Sequence, residues 1–87
     1  MKKFRLEITT PAGAEFAGDV VQLSVRGVEG ELAVMAGHIP FTTALVASEC
    51  RIYDSEGDMR RADIQGGLLC VTADKTQMLV SGFEWKN

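Results

Sequence analysis

The chain has 87 residues, enough for one domain but not for two independent cores. With 46% hydrophobic and 24% charged residues it has the composition of an ordinary globular protein, which excludes a disordered tail, a collagenous repeat and a coiled coil. The net charge of −3 is spread evenly and forms no basic patch of the kind that nucleic-acid binding needs. We therefore expect one domain over residues 1–87 that binds no nucleic acid.

The sequence also indicates an intracellular protein. No apolar run approaches the roughly 20 residues of a membrane span. The basic start of the chain is followed by Glu7 and Asp19 instead of the apolar stretch of a signal peptide. Cys50 and Cys70 are few for a small secreted fold, so we expect reduced, buried thiols.

In the first half of the chain, alternating apolar and polar residues predict strands over residues 4–9 and 21–26. Pro11 and Gly13 predict a type I turn after the first strand. A short extended piece at residues 15–17 and a turn at Gly18 and Asp19 are expected before the second strand. Two glycine-bracketed breaks, at residues 27–30 and 36–40, then flank a short strand that turns Leu32 and Val34 to one face.

The second half continues in the same way. Residues 41–47 read as an extended segment, and residues 49–53 and 59–65 as the two arms of a hairpin around a polar turn. Gly66 and Gly67 predict a bulge or a close backbone approach. Residues 68–71 form a strand that is apolar on both sides and hence central, and residues 77–81 follow as another strand.

The pattern as a whole predicts an all-β fold. Short strands separated by turn signals about every 8–12 residues are typical of a sandwich or barrel, and no helical periodicity persists. We expect a flattened β-sandwich or barrel of about ten short strands.

Catalytic chemistry is not predicted. His38 is the single histidine and no nucleophile pattern accompanies it, and one histidine with two scattered cysteines cannot supply a metal site. The glycine loop at residues 27–31 carries Glu29 and Glu31, whose carboxylates stand where the backbone amides of a phosphate loop would have to receive an anion. The sequence therefore predicts no catalytic residue, no metal and no cofactor.

The stretch from Gly27 to Pro40 is nonetheless the most distinctive part of the chain. It joins two loops around one short strand, and we expect both loops to lie near each other at one end of the sandwich. Loops carry function more often than strands do. A surface role for His38 without any task stays open on composition alone.

This stretch carries a family resemblance. Gly27-Val28-Glu29-Gly30-Glu31-Leu32, followed by Val34 and by Gly37-His38-Ile39-Pro40, resembles the signature of the epsilon subunit of bacterial F-type ATP synthases. The opening residues 4–11, the segment 41–45 and the glycine pair with its following strands are also similar to that family, so the likeness covers nearly the whole chain. It implies a β-sandwich with a non-catalytic role in the central stalk, or rotor, where it supports the coupling of proton transport to ATP synthesis.

The resemblance also implies partners and site residues. It places Glu29, Gly30, Glu31 and His38 at the end that approaches the c-ring. It places Phe41, Thr42, Thr43 and Ala44 in the region that meets the gamma subunit, although Phe41 and Thr42 depart from the usual residues. The implied location is peripheral, at the cytoplasmic face of the bacterial inner membrane.

Typical members of the family continue into a two-helix hairpin that can inhibit ATP hydrolysis and in some members binds ATP. This sequence ends at Asn87 without it, either because the natural subunit is short, which we favour, or because the chain is a piece of a longer subunit, and in either case we expect no nucleotide binding. The alternative function is a free-standing ligand- or saccharide-binding module. That module would need a concave aromatic site, whereas the six aromatic residues are scattered and mostly fall at expected core positions.

Overall fold

A computed structural model describes residues 2–86, so Met1 and Asn87, the two ends of the predicted domain, lie outside the described residues. Residues 2–86 form nine strands and no helix, which confirms the all-β fold class with nine strands in place of about ten. Within this range there is accordingly no helix able to cross a bilayer. The strands are β1 (Phe4–Thr10), β2 (Gly13–Gly27), β3 (Gly30–Val34), β4 (Phe41–Leu45), β5 (Ser48–Asp54), β6 (Met59–Ile64), β7 (Gly67–Val71), β8 (Thr76–Val80) and β9 (Phe83–Trp85).

The strands form two layers that share β2. One layer runs in the order β4-β7-β8-β1, and the other runs β3-β2-β5-β6-β9. The first half of β2 pairs with β1 and its second half pairs with β5 and β3. Because β4 also contacts β2 at Gly27, the path β1-β8-β7-β4-β2 closes on itself as a flattened barrel.

Strict alternation builds the core between the layers. Alternate residues of the strands point inward, and most of these side chains are almost completely buried, whereas Leu32, Phe41, Phe83 and Trp85 are only partly buried against the core. The largest of them are Leu6, Ile8, Leu23, Ile52, Ile64, Leu69 and Met78. The core therefore follows the predicted apolar periodicity except at Val20 and Val21, where an irregularity in the pairing of β2 buries Val20 and leaves Val21 half-buried.

The predicted turn at Gly18 and Asp19 is wrong. Both residues lie inside β2, where Gly18 pairs with Leu6 and Asp19 pairs with Arg5 of β1. Pairing with β1 overrides the local turn preference, and a Cβ at Gly18 would make only ordinary contact with the ring of Phe16, at 3.5 Å. The chain thus passes from one layer to the other without leaving the strand.

The predicted close approach at the glycine pair is confirmed. Gly67 has φ +154, and a Cβ added there would collide with the backbone carbonyl of Leu79. Gly66 has φ +104 and lies against the carbonyl of Leu45. Strand β7 is central as predicted, because it pairs with both β4 and β8.

Candidate protein-interaction surface

The first of the two distinctive loops is a tight turn between β2 and β3. Val28 and Glu29 form the turn, and Gly30 enters β3 with φ +126, a conformation that favours glycine. The turn is held against the end of β4, since the amide of Val28 donates to the carbonyl of Ala44 at 3.0 Å. Glu29, Gly30 and Glu31 are all exposed there.

Glu31 is held by two arginines. Its Oε2 accepts from Nη2 of Arg26 at 3.2 Å, and its Oε1 accepts from Nη2 of Arg51 at 3.1 Å. Arg26 is its direct neighbour across β2 and β3, whereas Arg51 comes from β5 on the other side of β2. A side chain that is more than half exposed is thus fixed at both oxygens.

The second loop lies at the opposite end of β3. His38 is exposed, its amide donates to the carbonyl of Met35 at 3.1 Å, and its Nδ1 lies 2.9 Å from the carbonyl oxygen of Ile39. Its ring packs on Phe41 with centroids 4.8 Å apart. The five residues of β3 span about 16 Å between the two loops. The expectation that both loops share one end is therefore wrong, because the strand between them is fully extended.

The four predicted residues of β4 divide between two faces. Phe41 and Thr43 pair with the inward-facing Val71 and Leu69, and Phe41 packs against the core. Thr42 and Ala44 point outward and are exposed. The structure brings parts of the two predicted sets together, because a hollow of about 350 Å³ between β3 and β4 is lined by residues 29–32 and 41–43, whereas His38 and Ala44 do not line it.

An apolar row on the outer face of the first layer was not predicted. Leu68 of β7 lies directly between Ala44 of β4 and Leu79 of β8, and the two leucines are 44% and 45% exposed. The signal was present in the sequence, since strict alternation through β7 and β8 turns these leucines away from the buried Leu69 and Met78. We name Ala44, Leu68 and Leu79 the apolar row.

The outer face of the second layer is charged. Glu49 of β5 receives Nζ of Lys86 at 2.9 Å and also lies near the guanidinium groups of Arg51 and Arg61. The hydrogen bond from Lys86 lowers the pKa of Glu49, and the same contact raises the pKa of Lys86. Together with Glu31 and Arg26 these residues form one band of ion pairs, which we name the charged face.

The remaining polar groups have structural explanations. Asp54 accepts from the amides of Glu56 and Asp58 at 2.9 and 3.0 Å, which closes the turn between β5 and β6. These three carboxylates could surround a cation, but exposed acidic turns commonly hold none. Cys50 and Cys70 are both free, and burial raises the pKa of the Cys50 thiol to about 11, which keeps it protonated and unreactive.

The aromatic residues are less scattered than expected. Phe16, Phe83 and Trp85 meet edge to face, with Phe83 and Trp85 centroids 4.9 Å apart and Phe16 and Trp85 centroids 6.1 Å apart. The guanidinium of Arg60 covers the Trp85 ring at 3.7 Å. All three rings pack against the core, so this cluster extends the core and is not an open sugar platform.

The fold and its surfaces define a small β-sandwich whose prominent exposed features are suited to contacts with other proteins. The family described as the beta-sandwich domain of the ATP synthase delta/epsilon chain matches residues 3–86, and the chain belongs to this family.

Relatives and solved structures agree with this assignment. The chain is 33% identical over 82 residues to the sodium ion specific ATP synthase epsilon chain of Acetobacterium woodii, covering 94% of this chain and 62% of that protein. It is 36% identical over 85 residues to the ATP synthase epsilon chain of Caldicellulosiruptor saccharolyticus, covering 98% and 61%. The chain thus spans somewhat less than two thirds of the length of these relatives.

In fold, the chain is similar to a chain in the Euglena gracilis mitochondrial ATP synthase structure of OSCP, F1 and c-ring, with a TM-score of 0.90 at 20% identity, covering 95% of this chain and 53% of that one. A chain in the central stalk and c-ring structure from Tetrahymena thermophila matches with a TM-score of 0.77 at 15% identity, covering 94% and 66%. At these identities the likeness concerns the fold.

Proposed function

We propose that this chain is a non-catalytic central-stalk subunit of an F-type ATP synthase and that it links the gamma subunit to the c-ring. The observation that carries the proposal is that one rigid sandwich presents two different outer surfaces, an apolar row and a charged face. The names of the relatives and the family of the domain support the same role. A link between two partners needs such independent surfaces, because each partner must be held without displacing the other.

The surface proposed for the c-ring is formed by β3 and the loops at its two ends. Glu29, Gly30 and Glu31 supply exposed polar groups at one end, and His38 supplies an exposed imidazole at the other. Within the described residues β3 pairs with β2 alone, so this strand lies at an edge of its layer. This exposed edge combines polar groups with the exposed apolar side chains of Val28, Met35 and Ile39, and such a mixed surface suits contact with the loops of a membrane-embedded ring.

The surface proposed for the gamma subunit begins on β4. Thr42 and Ala44 are its outward residues, while Phe41 and Thr43 support them from the inner side. The apolar row continues this surface across β7 and β8 through Leu68 and Leu79. Burial of such a row is the kind of contact that holds a permanent subunit. Through its partners the chain would lie peripherally at the cytoplasmic face of the bacterial inner membrane.

The test is attachment of the ATPase head to its membrane sector. We expect Glu31→Ala combined with His38→Ala to weaken attachment and to lower coupled ATP synthesis in reconstituted vesicles, while the purified variant keeps its melting temperature. Glu56→Ala, which removes an exposed carboxylate from the turn between β5 and β6, is the control and should change neither. Unchanged coupling in the double variant would refute the assignment of this surface.

A further inference from the structure

The contact between Arg51 and Glu31 crosses a whole strand. Arg51 pairs in register with Ser24 of β2, and Ser24 in turn pairs with Ala33 of β3. Glu31 stands two residues before Ala33, so the Arg51 side chain must pass over β2 on a diagonal to reach it at 3.1 Å. Arg51 and Glu31 therefore bridge two strand spacings, about 9–10 Å, between them, and Arg51 binds a carboxylate that already has Arg26 beside it.

Small residues open the path for this side chain. Ser24 and Ala33 occupy the row that Arg51 crosses. Both side chains are small, since alanine has only a methyl group and serine adds one hydroxyl to it. The Ser24 hydroxyl accepts from Nε2 of Gln22 at 3.1 Å, which gives it a partner other than the guanidinium. Ser24 is only 9% exposed although it points to the outer side of its layer. This local sequence leaves a channel that suits one long basic side chain.

We propose that Arg51 is a positioning residue for Glu31 at the surface that meets the c-ring, an inference that rests on the proposed function. A free glutamate on an exposed strand loses rotamer freedom when it is immobilised in an interface, at a cost of about 0.5–1.5 kcal/mol, or about two- to tenfold in affinity. Arg26 and Arg51 each bind one oxygen of Glu31 and restrict it before any partner arrives. Two of the roughly four acceptor positions of the carboxylate remain available to the partner.

The experiment is a double-mutant cycle in the assembled complex. Glu31→Gln, Arg51→Met and the double variant are incorporated into the ATPase head, and its apparent dissociation constant from stripped membranes is measured by titration. We expect each single variant to weaken attachment about two- to tenfold and the double variant to be no weaker than the worse single one, because Arg51 acts through Glu31. Arg51→Lys should recover part of the loss, since it retains the charge.

A matched control removes the same charge outside the charged face. Arg60→Met deletes the exposed guanidinium of β6 that covers the Trp85 ring, and should leave the dissociation constant unchanged within about twofold. The melting temperature of each purified chain reports whether the fold is intact. An equal loss in the control and in Arg51→Met would overturn the proposal, because it would reflect the net charge of the chain and not the contact with Glu31.

The other outcomes separate the two proposals. Weakening by Glu31→Gln but not by Arg51→Met leaves the proposed function intact and refutes the positioning role. Weakening by Arg51→Met in a chain that already carries Glu31→Gln also refutes it, because Arg51 would then act independently of Glu31. Unchanged attachment with Glu31→Gln would refute the assignment of Glu31 to the surface proposed for the c-ring, and with it the positioning role of Arg51.

Discussion

The apolar row offers the sharpest test of the proposed gamma surface. Leu68 and Leu79 are direct cross-strand neighbours on β7 and β8, and Ala44 lies on the other side of Leu68. We consider the double substitution Leu68→Ser with Leu79→Ser. Both side chains lie outside the core, so the change removes apolar surface without leaving a cavity.

The size of the effect follows from the exposed fractions. Complete burial of a leucine side chain stabilises by about 1.5–3 kcal/mol. Since 44% and 45% of the two residues are exposed, each leucine can still gain slightly under half of this burial free energy when gamma covers it. Together they should contribute about 1.5–2.5 kcal/mol, which corresponds to about a ten- to sixtyfold weaker affinity for gamma.

Isothermal titration calorimetry of the purified chain with the purified gamma subunit measures this affinity without a label. Met59→Ser is the matched control, because Met59 is also 44% exposed but lies on β6 of the other layer. It should leave the affinity unchanged, and each substitution should lower the free energy of unfolding by about 1–1.5 kcal/mol in both variants, because slightly over half of each side chain is already buried in the free chain. An unchanged affinity in the double variant would refute the reasoning, since the exposed leucines would then not be buried by gamma.

Two further predictions concern stability. Gly67→Ala should lower the free energy of unfolding in urea by about 2–4 kcal/mol, because its Cβ would collide with the carbonyl of Leu79. Gly57→Ala is the control, since Gly57 also has a positive φ but open space around it, and should cost about 1–2 kcal/mol. Equal losses in the two variants would contradict the collision. For Cys50, burial raises the pKa from 9.0 to about 11, so its contribution is complete below pH 9 and is lost as the pH rises towards 11. Urea unfolding at several pH values should show this loss in the native chain but not in Cys50→Ala, and the same slope in both would exclude the thiol as its source.

The alternation of residues was sufficient to predict most of the strands. Residues 4–9 form β1, and residues 49–53 and 59–65 form the hairpin of β5 and β6, because one face of each strand is buried and the other is not. The turn predicted at Gly18 and Asp19 was wrong because strand pairing, which the local sequence does not show, decides the structure there. A glycine followed by an aspartate favours a turn locally, but pairing with β1 fixes this segment as strand.

The site was less accessible from the sequence because it depends on register. Glu31 and Arg51 are twenty residues apart, and their contact exists only because β3 and β5 both flank β2. Leu68 and Leu79 likewise become one feature only through the pairing of β7 with β8. Glu31 and His38, which the resemblance selected, are both exposed, but an extended β3 separates their loops, which the spacing of glycines did not reveal.

The two outer surfaces contribute little to folding, and this is what leaves them available to partners. Exposed ion pairs such as those of Glu31 and Glu49 are screened by water and stabilise the fold little, and the half-exposed leucines of the apolar row leave much of their possible burial unrealised. The core that holds the layers together is built from the alternate, inward-facing positions of the same strands. Because successive residues of a strand serve different sides, the charged face on β5 and the apolar row on β7 and β8 can each be fitted to a partner without altering the core. A change on one surface should therefore leave the other surface and the inward-facing core intact, and this independence is what a link between two partners requires.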